Sequence, residues 1–294
     1  MVAIWGSTFV FTKMLLQVGL TPAQIFTLRF LIAYFLLLLY DGCGKGSSFR
    51  LFCSSLKDEL LMLLLGITGG SVYFLAENAA MLFTTATNTS LIVCSCPLFT
   101  MLLVALFYRK SERFTRQQVL GSVMACMGMA VVVLNGHFVL HLSPLGDLLA
   151  FGACLCWAFY SLLMQSALKR YSTVFITRKV FFYGLLTMIP YYILNPAEVS
   201  IFSFSADTQL SVFNFQLSVV ANILFLAVVA SLVCFLVWNW VIKKLGTVVA
   251  TNWVYFNPIT TIVFAWWLLS EQITVWFLLG TVLILLGMFL ADRK

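Results

Sequence analysis

The sequence predicts an all-α polytopic membrane protein with ten transmembrane helices in two inverted five-helix repeats and both termini in the cytoplasm. Composition is the first reason. Of 294 residues, 62% are hydrophobic and 9% charged, whereas a soluble surface needs charged residues at close to a quarter of the total. The second reason is that apolar stretches near the roughly 20 residues that span a bilayer recur ten times. The third is an internal repeat. It gives each copy five segments, an odd number, so the second copy crosses the membrane upside down relative to the first.

The predicted segments are 1–18, 21–40, 59–82, 85–108, 117–134, 147–168, 175–194, 216–241, 246–270 and 274–291. The first starts apolar at Met1, with no charged leader and no cleavage site, so it is no signal peptide. At about 1.5 Å per residue it reaches roughly 27 Å, a bare span, and the expectation is a chain start placed several residues late, the rival being a naturally short, tilted helix. The third and fourth meet almost without a loop. They carry Glu77, Asn78, Asn88 and the mid-helix Pro97, while the ninth repeats the proline pattern in ATNWVYFNPITTIVFAWW from Ala250. The connections 41–58 and 195–215 are ordinary loops, and no separate soluble domain remains. Residues 1–140 form the first repeat and 141–294 the second.

Basic residues set the orientation, because short cytoplasmic loops retain them. With the N-terminus inside, inner loops and tail hold 15 of the 17 lysines and arginines: Lys45, Arg50 and Lys57, then Arg109, Lys110, Arg113 and Arg116, then Lys169, Arg170, Arg178 and Lys179, then Lys243, Lys244, Arg293 and Lys294. Outer loops hold none. Lys13 and Arg29 lie within helices. The net charge of +7 therefore reflects topology and points to no nucleic acid. The cysteines lie in apolar segments or, as Cys43 and Cys53, in an inner loop, neither of which favours a disulfide.

The repeat shows where ERFTRQQVLGSVMACMGM from Glu112 overlays EQITVWFLLGTVLILLGM from Glu271, matching Gly121 with Gly280 and Gly128 with Gly287. These runs, with WGSTFVFTK from Trp5, TPAQIFTLRFLIAY from Thr21 and the turn into a proline helix at 84–97, resemble EamA-type carriers of the drug/metabolite transporter superfamily. The resemblance implies ten helices in two inverted repeats and movement, often export, of amino acids or other small metabolites. It implies no particular substrate.

Several residues carry two readings. Lys13, Arg29 and Glu77 fall at similar depth on three helices. They form either a cavity-facing cluster, with Glu77 as proton-coupling or amine site and Lys13 or Arg29 as carboxylate site, or a buried ion pair that positions helices. Arg29 is expected to be structural. Asn78, Asn88, Asn252 and Asn257 bind solute or join helices, with Asn257, beside Pro258, the strongest pathway residue. Pro97 and Pro258 act as hinges or permanent kinks. Trp5 and Trp157 head equivalent helices and line the pathway, as Tyr160 and Tyr255 do, whereas Trp238, Trp240 and Trp276 face lipid. Gly121 with Gly128, and Gly280 with Gly287, share a helix face and suit close packing.

His137-x-x-x-His141 lacks a third ligand, so no metal is expected. No nucleophile elbow or phosphate loop points to an enzyme or a cofactor. The partners expected are a small-molecule substrate and the lipid bilayer, with the oligomeric state open. A membrane-embedded enzyme and a non-transporting receptor or subunit are the alternatives. Scattered midplane polar residues count against the first, and small loops against the second.

Overall fold

A computed structural model describes residues 1–43, 50–107, 115–134, 143–199, 209–269 and 275–292. They form helices α1 (Val2–Gln17), α2 (Pro22–Cys43), α3 (Leu56–Gly66), α4 (Val72–Phe83), α5 (Ala86–Cys94), α6 (Cys96–Phe107), α7 (Arg116–Leu134), α8 (Pro144–Leu168), α9 (Thr173–Leu186), α10 (Ile189–Leu194), α11 (Gln209–Leu224), α12 (Cys234–Leu245), α13 (Thr247–Asn252), α14 (Asn257–Leu269) and α15 (Val275–Asp292). Several run on from one another. Among the described residues, six continuous helical stretches are long and apolar enough to cross a membrane: Pro22–Gly42, Leu56–Phe83, Ala86–Phe107, Pro144–Leu168, Leu217–Leu245 and Thr247–Leu268.

Local chemistry sets the ends. Ser55 accepts a hydrogen bond from the Asp58 amide, Thr85 from that of Asn88 and Ser172 from that of Phe175, which caps α3, α5 and α9. Gly246, at φ +83°, turns α12 into α13 through a region that other residues enter only with strain. Prolines break helices where expected. α5 ends at Cys94 and α6 starts at Cys96, just before Pro97, because the ring removes a donor and crowds the preceding turn. Before Pro258 the chain passes through a short 3-10 turn, Trp253–Phe256.

Two stretches depart from α geometry in a way hydropathy does not show. Ile67–Ser71 joins α3 to α4 as a π-helical turn, with Gly70 at φ −125° and ψ −106°. Phe225–Val233 joins α11 to α12 in the same manner. A π turn inserts a residue and re-aims the backbone carbonyls around it.

Among the described residues the most extensive helix contact pairs α7 with α15. A Cβ on Gly121 would lie 2.5 Å from the Gly287 carbonyl oxygen, one on Gly287 would lie 2.5 Å from the Ala125 nitrogen, and one on Gly128 would lie 2.8 Å from the Gly280 carbonyl oxygen. The glycines thus seat one backbone directly on another. α1 meets α14 in the same way at Gly6, whose Cβ would lie 2.4 Å from the Asn257 carbonyl oxygen.

One end of the bundle is stitched by charge. Lys179 pairs with Glu59 at 2.9 Å, Arg178 with Asp41 at 2.7 Å and Arg170 with Asp58 at 2.5 Å. The Tyr183 hydroxyl also donates to Glu59, at 2.6 Å. This corrects the placing of Arg178 and Lys179 in a loop: both sit inside α9, 3% and 4% exposed, and burial is tolerable because carboxylates from α2 and α3 meet them. At the other end Asn88 Nδ2 donates to Asp147 at 2.7 Å, and Glu198 accepts from Thr21 and Tyr191. Large apolar side chains such as Leu102, Trp240, Trp267 and Trp276 stand exposed on the outer surface, as lipid requires.

Candidate functional site

A central cavity lies where α1, α2, α4 and α5 face α8, α12 and α14. Its walls include Trp5, Arg29, Glu77, Cys94, Trp157 and Asn257. Both halves of the chain contribute.

Arg29 and Glu77 are its charged groups, 2% and 5% exposed. Arg29 Nε donates to the Ser231 hydroxyl at 2.9 Å, and its guanidinium lies 4.4 Å from the Phe74 ring centroid, a cation–π contact. Glu77 accepts from the Tyr73 hydroxyl at 3.2 Å. Among the described residues the two charges do not form an ion pair with each other, so each keeps capacity directed into the cavity. Asn257, one residue before Pro258, adds an amide oxygen without a hydrogen-bond partner.

The remaining wall is aromatic. Trp5 and Trp157 sit 5.3 Å apart at 88°, and Trp238 closes the group at 5.2 Å from Trp5 and 5.7 Å from Trp157. Trp5 is aimed by its indole N–H, which donates to the Ala230 carbonyl at 2.9 Å. That carbonyl lies in the second π segment, as does Ser231, so this irregular turn holds both Trp5 and Arg29. The cavity measures about 30 Å³, room for about two waters. A metabolite enters only if the walls part.

The structure redistributes several expected roles. Lys13 does not join Glu77. Its ammonium donates to the Met81 and Thr84 carbonyls at 2.5 and 3.1 Å, because the end of α4 offers carbonyls without helical partners and a favourable dipole. Arg29, expected to be structural, is the cation on the cavity. Asn78 donates to the Pro22 carbonyl at 3.2 Å and Asn88 to Thr84 and Asp147; both join helices away from the cavity. Tyr160 donates to Asn239 at 3.1 Å and covers Gly69, so it packs behind Trp157. Tyr255 lies off the cavity, beside Ser122. Trp238 is 0% exposed, not lipid-facing. Tyr73, Phe235 and the cysteines 94 and 96 line the cavity without having been singled out; Tyr73 had a signal, four residues before Glu77 on the same helix face. His137, His141, Glu112 and Glu271 lie outside the described residues.

An apolar exterior around a largely buried polar cavity built from both halves fits a multi-pass membrane transport protein. The comparisons give it a family. Residues 1–134 and 144–291 match the EamA-like transporter family, and the chain belongs to it; it is a transporter of the inner (plasma) membrane, not an enzyme. It is 24% identical over 293 residues to an uncharacterized transporter of Archaeoglobus fulgidus, covering 99% of this chain and 94% of that one. It is 25% identical to a probable amino-acid metabolite efflux pump of Escherichia coli, covering 98% and 91%. A probable terminal-alkyne amino-acid exporter of Streptantibioticus cattleyicolor is 26% identical over 238 residues, covering 81% and 74%. A solved crystal structure superposes with a TM-score of 0.69 at 17% identity, covering 99% and 97%, and shares the fold.

Proposed function

We propose that this protein exports small zwitterionic metabolites of the amino-acid type, by alternating access between two inverted five-helix repeats that together cross the membrane ten times with both termini cytoplasmic. The observation that carries the cargo class is the pair of unlike charges on one largely buried cavity, Arg29 and Glu77, each anchored by a neighbour and not spent on the other. A guanidinium matches a carboxylate in geometry, and a carboxylate with an aromatic rim suits an ammonium. Two relatives named for amino-acid or amino-acid metabolite export support the class and the direction. Glu77 is the coupling carboxylate of a proton-linked cycle: it shares the cavity with Arg29, so a change in their separation between the two facing states links proton exchange to cargo binding.

The test is transport by purified protein in liposomes over a panel of amino acids, amines and carboxylic acids, with and without a pH gradient. Zwitterions are expected to move and singly charged analogues to move poorly. Glu77→Gln is expected to lose the response to the gradient while retaining counterflow exchange. Equal transport of amines lacking a carboxylate, unaffected by Arg29→Gln, overturns the cargo class. A Glu77→Gln protein that responds to the gradient as the parent does overturns the coupling role.

A further inference from the structure

We propose that the half of the route from the central cavity to the basic end of the bundle runs along the seam between α6, α8 and α13, through a buried polar layer of Thr100, Ser161 and Asn252, with Met101, Val104, Leu162 and Val248 as an apolar plug beyond it. The proposal rests on the transport reading and assigns the passage its place.

Register puts the layer in line with the cavity. Cys96, Trp157 and Val254 border the cavity floor. Within about one turn toward the basic end stand Thr100 on α6, Ser161 on α8 and Asn252 on α13. Met101, Val104, Leu162 and Val248 then form an apolar cluster separate from the main core, because the polar layer divides the two.

The layer is also poorly satisfied. Thr100 Oγ1, Ser161 Oγ, Asn252 Nδ2 and the Tyr255 hydroxyl lack hydrogen-bond partners, although none of these residues is more than 2% exposed. The bonds nearby are long: Thr247 reaches the Ser161 carbonyl at 3.4 Å and Ser122 reaches Asn252 Oδ1 at 3.3 Å. Buried polar groups are nearly always paired in folded proteins, and each exception needs a reason. Four around one seam share a reason if water or solute meets them when it opens.

The opposite seam, between α1, α5 and α14, is the contrast. Thr261 stands three residues past Pro258 as Thr100 stands three past Pro97. The Thr261 hydroxyl donates to the Gly6 carbonyl at 2.8 Å, while Thr8, Thr89 and Ser90 donate to carbonyls of their own helices. Gly6, next to Trp5, permits that approach. Next to Trp157 stands Ala158, and Thr100 finds no such carbonyl. Apart from Asn257 Oδ1 at the cavity, the closed conformation is therefore better bonded along α1–α14 than along α6–α8–α13. The ion pairs of α2, α3 and α9 close a different side of the same end.

The experiment is hydroxyl-radical footprinting of the full-length, unsubstituted protein in liposomes, with and without the transported panel solute. Matched residues serve as internal controls: Met101, 7% exposed, against Met62 at 0%, and Tyr255 against Tyr160, both 0% exposed. Met101 and Tyr255 are expected to be modified about tenfold faster than their controls, since an open state of even a few per cent exposes them. Thr100→Cys and Ser161→Cys in a cysteine-free background give a second reading. An impermeant thiol reagent added at the basic end is expected to label both faster than Ala33→Cys on α2. Footprinting that leaves Met101 as protected as Met62 overturns the route, whether or not the cysteine variants fold, and labelling of Thr177→Cys instead of Thr100→Cys relocates it to the α9 side. Transport without modification of the seam overturns the route and leaves the transporter intact; modification without transport of any zwitterion overturns the cargo class and leaves the route.

Discussion

Substitution of Gly287 by alanine tests the packing of α7 on α15 directly. The added Cβ would lie 2.5 Å from the Ala125 nitrogen, 2.6 Å from the Gly121 oxygen and 2.9 Å from Ala125 Cα. All are backbone atoms, so no rotamer change relieves the contact. Against an ordinary separation of 3.4 Å the shortfall is about 0.9 Å, and α15 must retreat by that amount along the contact. A gap of that size forfeits a quarter to a half of each dispersion well along the seam, which places the cost at about 2–3 kcal/mol, within the range for overpacked cores. The assay is thermal unfolding in detergent followed by size-exclusion chromatography, where about 2 kcal/mol lowers the midpoint by about 4–8 °C. Gly152→Ala, with nothing within 4 Å of the new Cβ, is the matched control and should not fall. Gly121→Ala with Gly287→Ala should cost less than the two added, since one retreat accommodates both. A Gly287→Ala protein as stable as the parent refutes the backbone-on-backbone contact.

Other expectations follow from the ends of the bundle. Glu59→Gln leaves Lys179, 4% exposed, without its carboxylate and should cost about 3 kcal/mol, with Lys179→Met restoring part of it in a double-mutant thermal series; additive losses would sink the pairing. Trp5→Phe loses both the bond to Ala230 and one of the two fused rings packed against Trp157 and Trp238, and should cost about 2 kcal/mol or more in the same assay. Burial and the neighbouring Glu59 push the Cys53 thiol up to about 11 from 9.0, so between pH 7 and 9 its thiolate fraction and alkylation rate should sit about 100-fold below an ordinary thiol; a rate equal to a peptide thiol contradicts this. A cysteine at Ser143 should be labelled from outside intact cells, and one at Ser172 only after permeabilisation.

Hydropathy made the helical architecture legible because lipid leaves the exterior no choice. The lateral facing of polar residues was harder to read. Lys13, Arg29 and Glu77 share a depth by rise per residue, but depth says nothing of azimuth, and Lys13 turns to the α4 carbonyls. Trp238 and Trp240 were grouped as lipid-facing, although two positions on a helix are about 200° apart and therefore could not share a face; one is 0% and the other 54% exposed. Arg178 and Lys179 read as loop because they are charged, yet Asp41, Asp58 and Glu59 at neighbouring helix ends were a visible counter-signal. The π segment at 225–233 carries no glycine and no proline, so nothing in that apolar run announced it. The orphaned hydroxyl of Thr100 is invisible in sequence, since the partner of any hydroxyl is a property of the neighbouring helix.

The three indoles around the cavity also make the protein its own optical instrument. Trp5, Trp157 and Trp238 lie within 6 Å of one another, at fixed mutual angles of 88°, 57° and 42°. Transition dipoles that close and that skewed couple strongly, so this trio dominates the near-ultraviolet dichroism over the five remaining tryptophans. The interaction falls steeply with separation. Trp5 belongs to α1 and Trp157 to α8, so a solute that parts these two helices would change the spacing of the rings and weaken the signal.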